Sequence, residues 1–186
     1  MSIVFVSGSL PIKIIDAEVT ARLENIIDSG FDIIVGDAGG VDTSIQEYLH
    51  AINYRNVTVF CSGDQARNNI GSWETHNVYP DHKAGSRAYF TAKDVVMASL
   101  GEYGLMIWDS KSTGTLSNVI VLLDQKKKSL VFVNKLKEFI TISNISDLKQ
   151  LISHMSENAR LKADRKIGLK KKIDMLSHEQ SSLILK

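Results

Sequence analysis

The stretch Leu105-Met106-Ile107-Trp108-Asp109-Ser110-Lys111-Ser112-Thr113-Gly114-Thr115-Leu116-Ser117-Asn118 passes from one structural pattern to another. Residues 105–108 form a continuous apolar run, which reads as a buried strand. Leu116, Val119, Ile120, Leu122 and Leu123 recur at helical spacing and predict a helix over 115–125. A turn of small residues between strand and helix leaves backbone N–H groups unpaired at the helix start, where the macrodipole favours an anion. Ser112, Thr113 and Thr115 add hydroxyls, and Gly114 lets a ligand approach the backbone. The stretch has the outline of a phosphate cradle, and a second glycine-rich turn lies near residue 37.

Outward from this stretch, apolar runs alternate with helix-period segments. Strands are predicted over 2–7, 31–36, 57–61, 105–108 and 129–133, and 139–142 carries a short edge-strand pattern. Helices are predicted over 16–29, 41–51, 86–100, 115–125 and 145–154. Strands that read as unbroken Val/Ile runs, without alternation, belong to a parallel sheet covered on both faces. The expected fold class is therefore α/β: a Rossmann-like, doubly wound, mostly parallel sheet of about five strands with a C-terminal helical extension. In such sheets ligands collect at the carboxyl ends of the strands, near the point where strand order reverses. That rule nominates Ser7-Gly8-Ser9, the turn Gly36-Asp37-Ala38-Gly39-Gly40-Val41-Asp42, and Asp109 to Thr115.

In the second of these turns the glycines permit positive φ and close backbone approach. Asp42 reads as a helix cap, and Asp37 as the contact for a ribose or base. The dinucleotide fingerprint of three spaced glycines after the first strand is missing, which disfavours NAD-dehydrogenase chemistry.

The chain has 186 residues, with 22 Lys/Arg against 21 Asp/Glu. Residues 157–186 hold eight of the basic residues against four acidic ones, leaving fourteen against seventeen in 1–156. Two units are expected from this: a nucleotide-binding domain over 1–155, and a basic helical or flexible tail over 156–186. Cys61 is the single cysteine, so an internal disulfide and a Cys-based zinc cluster are excluded. No apolar run reaches membrane-spanning length, and the N-terminus lacks a signal pattern, so the expected location is cytoplasmic. Residues 62–84 are polar and exceed the usual connection length. In this segment Glu74, His76, Asp81 and His82 match no compact zinc spacing, and neither metal nor cofactor is expected. Trp73 and Tyr79 either stack on a base or anchor the loop.

Strand one ending in Ser7-Gly8-Ser9, strand two running into Gly36-Asp37-Ala38-Gly39-Gly40-Val41-Asp42, and Gly114-Thr115 before a helix together resemble the SLOG superfamily over roughly residues 1–135. That Rossmann-like superfamily includes the cytokinin-activating LOG phosphoribohydrolases, the DNA-processing protein DprA and YspA/YpsA-like proteins; the second-strand turn looks most like the YspA-like branch. The resemblance implies a nucleotide or phosphorylated nucleoside as ligand and, for an enzyme, hydrolysis or transfer at its N-glycosidic bond. LOG enzymes bind phosphate through Pro-Gly-Gly-x-Gly-Thr-x-x-Glu. Here Lys111-Ser112-Thr113-Gly114-Thr115-Leu116-Ser117-Asn118 keeps Gly114 and Thr115, lacks Pro-Gly-Gly, and has Asn118 in place of the glutamate. Arg87 aligns loosely with the LOG catalytic arginine.

An amide cannot stabilise an oxocarbenium-like state as a carboxylate does. Either Asp109, Asp94 or Asp37 takes that role, or the protein binds without cleaving. The alternative function is a non-catalytic nucleotide sensor that signals to a protein partner through the C-terminal tail. LOG-type relatives pair as dimers, which makes a homodimer the expected assembly. Nucleic acid is disfavoured as a partner by the acidic balance of 1–156, unless Lys126–Lys128, Lys135, Lys137 and the tail converge on one face.

Overall fold

The seven-stranded sheet of the computed structural model, which describes residues 2–184, is laid out by apolar strands that bury both of their faces. β1 (Ile3–Gly8), β2 (Asp32–Gly36), β3 (Val57–Ser62) and β4 (Glu74–Val78) run parallel to one side of the sheet. β5 (Tyr103–Trp108) and β6 (Lys128–Val133) continue it parallel on the other side of β1, and β7 (Glu138–Ile142) closes that edge antiparallel to β6. The spatial order is β4-β3-β2-β1-β5-β6-β7. Order therefore reverses between β1 and β5, which places a crevice at their carboxyl ends.

Successive residues of each strand divide between two cores. Val4, Val6, Ile33, Val35, Leu105 and Ile107 face α1 (Ala17–Asp28) and α2 (Val41–Ala51), meeting Val19, Leu23, Ile45 and Leu49. Phe5, Ile34, Met106 and Trp108 face the opposite core, built on α3 (Arg87–Leu100) and α4 (Thr113–Asp124). The fold is thus a Rossmann-like sheet with helices on both faces.

Helix boundaries follow local chemistry. Asp16 caps α1 by accepting from the Glu18 N–H at 3.1 Å, and Ser86 caps α3 by accepting from Tyr89 N–H at 3.1 Å. α5 (Ile145–Ser153) is capped by Asn144. Beyond it, α6 (Glu157–Ile167) and α7 (Leu169–Ile184) form the helical extension. Ala159, Ala163 and Leu169 are buried in the same core as α4. No helix among the described residues is long and apolar enough to cross a membrane.

The sheet departs from the sequence pattern at β4, which lies inside the segment predicted as a long loop. Its residues Glu-Thr-His-Asn-Val have no apolar face, because β4 is an edge strand whose side chains are mostly exposed. Pairing to β3 is reinforced by His76 stacking on Phe60 at 4.4 Å and by Asn77 Nδ2 donating to the Gly63 carbonyl at 2.6 Å. Trp73 anchors the approach to this strand: it is buried, and its indole N–H donates to the Tyr54 carbonyl at 2.8 Å.

At the start of α2 the cap position belongs to Gly40, not to Asp42. Gly40 has φ +71, and a Cβ there would overlap the Leu10 backbone. This close approach seats the β1–α1 connection against α2. Gly40→Ala should destabilise the fold by about 2 kcal/mol or more, since left-handed φ and overlap with backbone add; denaturant unfolding measures it.

Candidate functional site

Two connections leave the β1/β5 crevice in opposite directions. After β1 the chain turns through Ser7, Gly8 and Ser9; a side chain on Gly8 would overlap the Ile107 carbonyl and Val41. After β5 it reaches Asp109 and enters α4. The helix starts at Thr113, two residues before the predicted start, so Thr113, Gly114 and Thr115 are its first turn and not part of the loop.

Asp109 fastens this loop. Its carboxylate accepts from Lys111 N–H at 2.9 Å, Ser112 N–H at 2.6 Å, Ser112 Oγ at 3.0 Å and Ser9 Oγ at 3.1 Å. Ser9 Oγ also lies 3.3 Å from Thr115 Oγ1, and Asn118 Nδ2 donates to Ser7 Oγ at 3.3 Å. The nominated residues of β1, β5 and α4 therefore join in two hydrogen-bonded groups, one on Asp109 and Ser9 and one between Asn118 and Ser7. The Ser112 side chain makes no cap bond, and nothing lies within 4 Å of the position a Cβ on Gly114 would take. The first-turn amides of α4 thus face an open cleft.

Arg87 is the first residue of α3 and donates to Thr113 Oγ1 at 2.9 Å, which brings the two helix N-termini together. A cation at a helix N-terminus opposes the macrodipole by about 0.3–1 kcal/mol. A bound anion would offset that cost. The cleft has a volume of about 610 Å³. It adjoins a second hollow of about 400 Å³ between α3, α4 and the end of α6, and Arg87, Asp94, Gly114, Asn118 and Lys166 border both.

A buried charge cluster underlies the cleft. Lys93 Nζ lies 2.8 Å from Asp94 Oδ1 and 4.0 Å from Asp37 Oδ1. Burial opposes its charge, but Asp94, Asp42 and Asp37 outweigh that and hold the ammonium above the usual lysine range. Asp37 sits at the end of β2 in a fork from Arg67: Nε donates to Oδ2 at 3.0 Å, Nη2 to Oδ1 at 2.6 Å, and the Arg67 backbone N–H to Oδ2 at 3.0 Å. Burial pushes the Asp37 carboxyl up, and the arginine overrides it, so the net shift is downward. Asp42 differs. Complete burial pushes its carboxyl up to about 7, with Lys93 and the Ala38 backbone opposing and Asp94 and Asp37 adding to the rise.

The nominated residues thus divide. Ser7, Gly8, Ser9, Asp109, Lys111 and Ser112, together with Thr113, Gly114, Thr115, Asn118, Arg87 and Asp94, line the cleft. From the second-strand turn only Ala38 and Asp42 do so, while Gly36, Asp37, Gly39 and Gly40 lie outside the lining. A side chain on Gly36 would overlap Asp42 Oδ2 and Lys93 Nζ, so that glycine makes room for the charge cluster. Asp42 is not the helix cap: with Gly40 in that position, Asp42 falls in the first turn and points inward.

Sequence reasoning missed Arg67, Phe90, Lys93, Lys162 and Lys166, all of which line the cleft. Lys162 and Lys166 are one turn apart on α6, beside the buried Ala159 and Ala163, and that spacing was the available signal. Among the described residues, no carboxylate lies within 4.0 Å of Arg87, Lys111, Lys162 or Lys166.

No family model and no curated protein matches the chain. Among solved structures it is similar to DNA processing protein A from Helicobacter pylori, described for its single-stranded DNA binding mode. The TM-score is 0.58 at 16% identity, over 88% of this chain and 79% of that one. The two share the Rossmann-like fold. This corrects the expectation that set nucleic acid aside. An acidic balance over 1–156 is no ground for exclusion when a single-stranded DNA-binding protein has this fold. Local charge, moreover, differs from the sum, because basic residues of α6 stand in the cleft.

Two outcomes test the charge cluster. Lys93→Met should cost about 3–5 kcal/mol in chemical unfolding, because it leaves buried carboxylates uncompensated. Asp42 has a folded pKa above its unfolded value, so its contribution is present at low pH and lost as pH rises through about 7. Asp42→Asn should therefore melt at a higher temperature than the parent at pH 8, with the advantage shrinking toward pH 4.

Proposed function

We propose that the cleft binds single-stranded nucleic acid, holding a backbone phosphate at the N-terminus of α4. The observation that carries this reading is the meeting of two helix N-termini with four cations, Arg87, Lys111, Lys162 and Lys166, that lack a carboxylate partner within 4.0 Å among the described residues. Helix dipole, first-turn amides and a planar guanidinium are complementary to a phosphodiester. The single-stranded DNA binding of a protein with this fold supports the choice of polymer.

The state of the carboxyls favours binding over N-glycosidic cleavage. Asp109 is saturated by the α4 loop, Asp94 is paired with Lys93, and Asn118 carries no charge. Lys162 and Lys166 of α6 line the cleft, which favours their contact with the ligand itself.

Fluorescence anisotropy of a labelled oligothymidylate tests this. Arg87→Ala, Lys111→Ala and Lys166→Ala should each weaken binding to all sequences alike, and each lost phosphate contact should flatten the plot of log affinity against log salt by about 0.7. Binding unchanged in all three variants, or no binding by the parent at low salt, would refute the reading.

A further inference from the structure

Asp42 is a buried carboxyl of the cleft with one oxygen left without a hydrogen-bond partner. It is 4% exposed and lines the cleft floor, and its Oδ1 has no hydrogen-bond partner. The other oxygen, Oδ2, lies beside Gly36. A buried polar atom left unpaired is costly, and in a binding cleft it marks a place where a ligand completes the bond.

The charges around it determine its state. Two cations face this floor: Lys93 from α3, and Arg67 from the segment after β3. Asp37 at the end of β2 engages Arg67 in a fork, and Asp94 on α3 takes the short contact with Lys93. Asp42 on α2 is the third carboxyl against two cations, so it is the one held neutral. A phosphate bound above it strengthens that preference. A neutral carboxyl presents an O–H donor, where a carboxylate only accepts.

The lining also offers flat surfaces. The Arg67 guanidinium carbon lies 4.4 Å from the centroid of the Phe90 ring, and both residues line the cleft together with Leu10 and Pro11. Arginine planes and aromatic rings are the surfaces on which unstacked bases rest. One cleft thus combines cations suited to a phosphate with an arginine–aromatic pair and an unpaired carboxyl oxygen, the two kinds of contact a nucleotide unit offers.

We infer that the cleft floor is a nucleobase subsite, in which Asp42 donates a hydrogen bond to a ring nitrogen or carbonyl of a base seated against Arg67 and Phe90. The inference rests on the phosphate-binding reading above and adds that the strand is held by a base as well as by its backbone. Phosphodiesters do not titrate between pH 6 and 8, so the proton on Asp42 links this contact to pH.

The test compares two labelled oligonucleotides of equal length, one with normal bases and one abasic, binding to the full chain at pH 6 and pH 8. For the base-bearing strand, affinity should fall about tenfold between these pH values, as expected for one group that must carry a proton. The abasic strand should bind more weakly, with little change. Asp42→Asn keeps a donor that cannot ionise, and should bind the base-bearing strand with no such pH dependence. Asp42→Leu should bring the base-bearing strand down to the abasic level at pH 6. The inference is overturned if Asp42→Asn retains the parent's pH dependence, or if both strands respond alike to pH and to Asp42→Leu. Should the parent bind neither strand, the phosphate reading itself fails; binding of both strands with equal affinity removes the base subsite and leaves the phosphate site standing.

Discussion

An ammonium group shut away from water has to be surrounded by carboxyl groups, and Lys93 meets that demand with residues from three elements. Asp94 comes from its own helix, Asp37 from the end of β2 and Asp42 from the first turn of α2. α3 is the helix that carries the chain from the β4 edge back across the sheet to β5, so its docking decides where its N-terminus lies. Lys93 draws it down onto the carboxyl end of β2. Six residues earlier, that places Arg87 over the first turn of α4. The Arg67 fork on Asp37 secures the segment after β3 to the same point. Because a buried pair broken at one partner leaves the other uncompensated, the cluster acts as a single fastening, and the cleft takes its shape from it.

Above that fastening the electrostatics change sign. The floor is close to neutral because its two cations are matched by two carboxylates. The rim combines two helix N-termini with cations that have no counter-charge within reach among the described residues. On the proposed reading, a bound phosphate supplies the missing counter-charge. Asp109 could have neutralised it. Instead the carboxylate is turned under the loop, accepting the Lys111 and Ser112 amides, and leaves the first-turn amides of α4 facing the cleft.

How much of this could be read from the chain depended on whether a residue's neighbours in space were its neighbours in sequence. The helix over 41–51 was legible because Val41, Ile45 and Leu49 repeat at helical spacing within one element. The strand, turn and helix around Ser112 to Thr115 were legible for the same reason, since they are contiguous. β4 was not, because an exposed edge strand needs no apolar pattern and is held by backbone pairing to β3. Asp42 was misread because a Gly-Gly-Val-Asp turn suits a cap equally well; only the positive φ of Gly40, imposed by Leu10, moves the cap two residues upstream. The pairing of Asp37 with Arg67 and the arrival of Lys162 and Lys166 in the cleft are long-range facts. The sum of charges over 1–156 hid the second one, since it counted the cleft without the helix that completes it.

Asn118 then takes its place in the same electrostatic scheme. It lies at 5% exposure in the second turn of α4, donates to Ser7 Oγ at the end of β1, and borders both hollows. A carboxylate at this position would be a further buried acid beside Asp94 and Asp109, where the nearby cations are either already matched or needed at the rim. It would also repel the phosphate proposed to bind at the rim. An amide supplies a donor to Ser7 and adds no charge. The residue that looks like a loss against the glycosidase motif is therefore the one that the local charge balance tolerates, and it is compatible with the phosphate proposed to bind here.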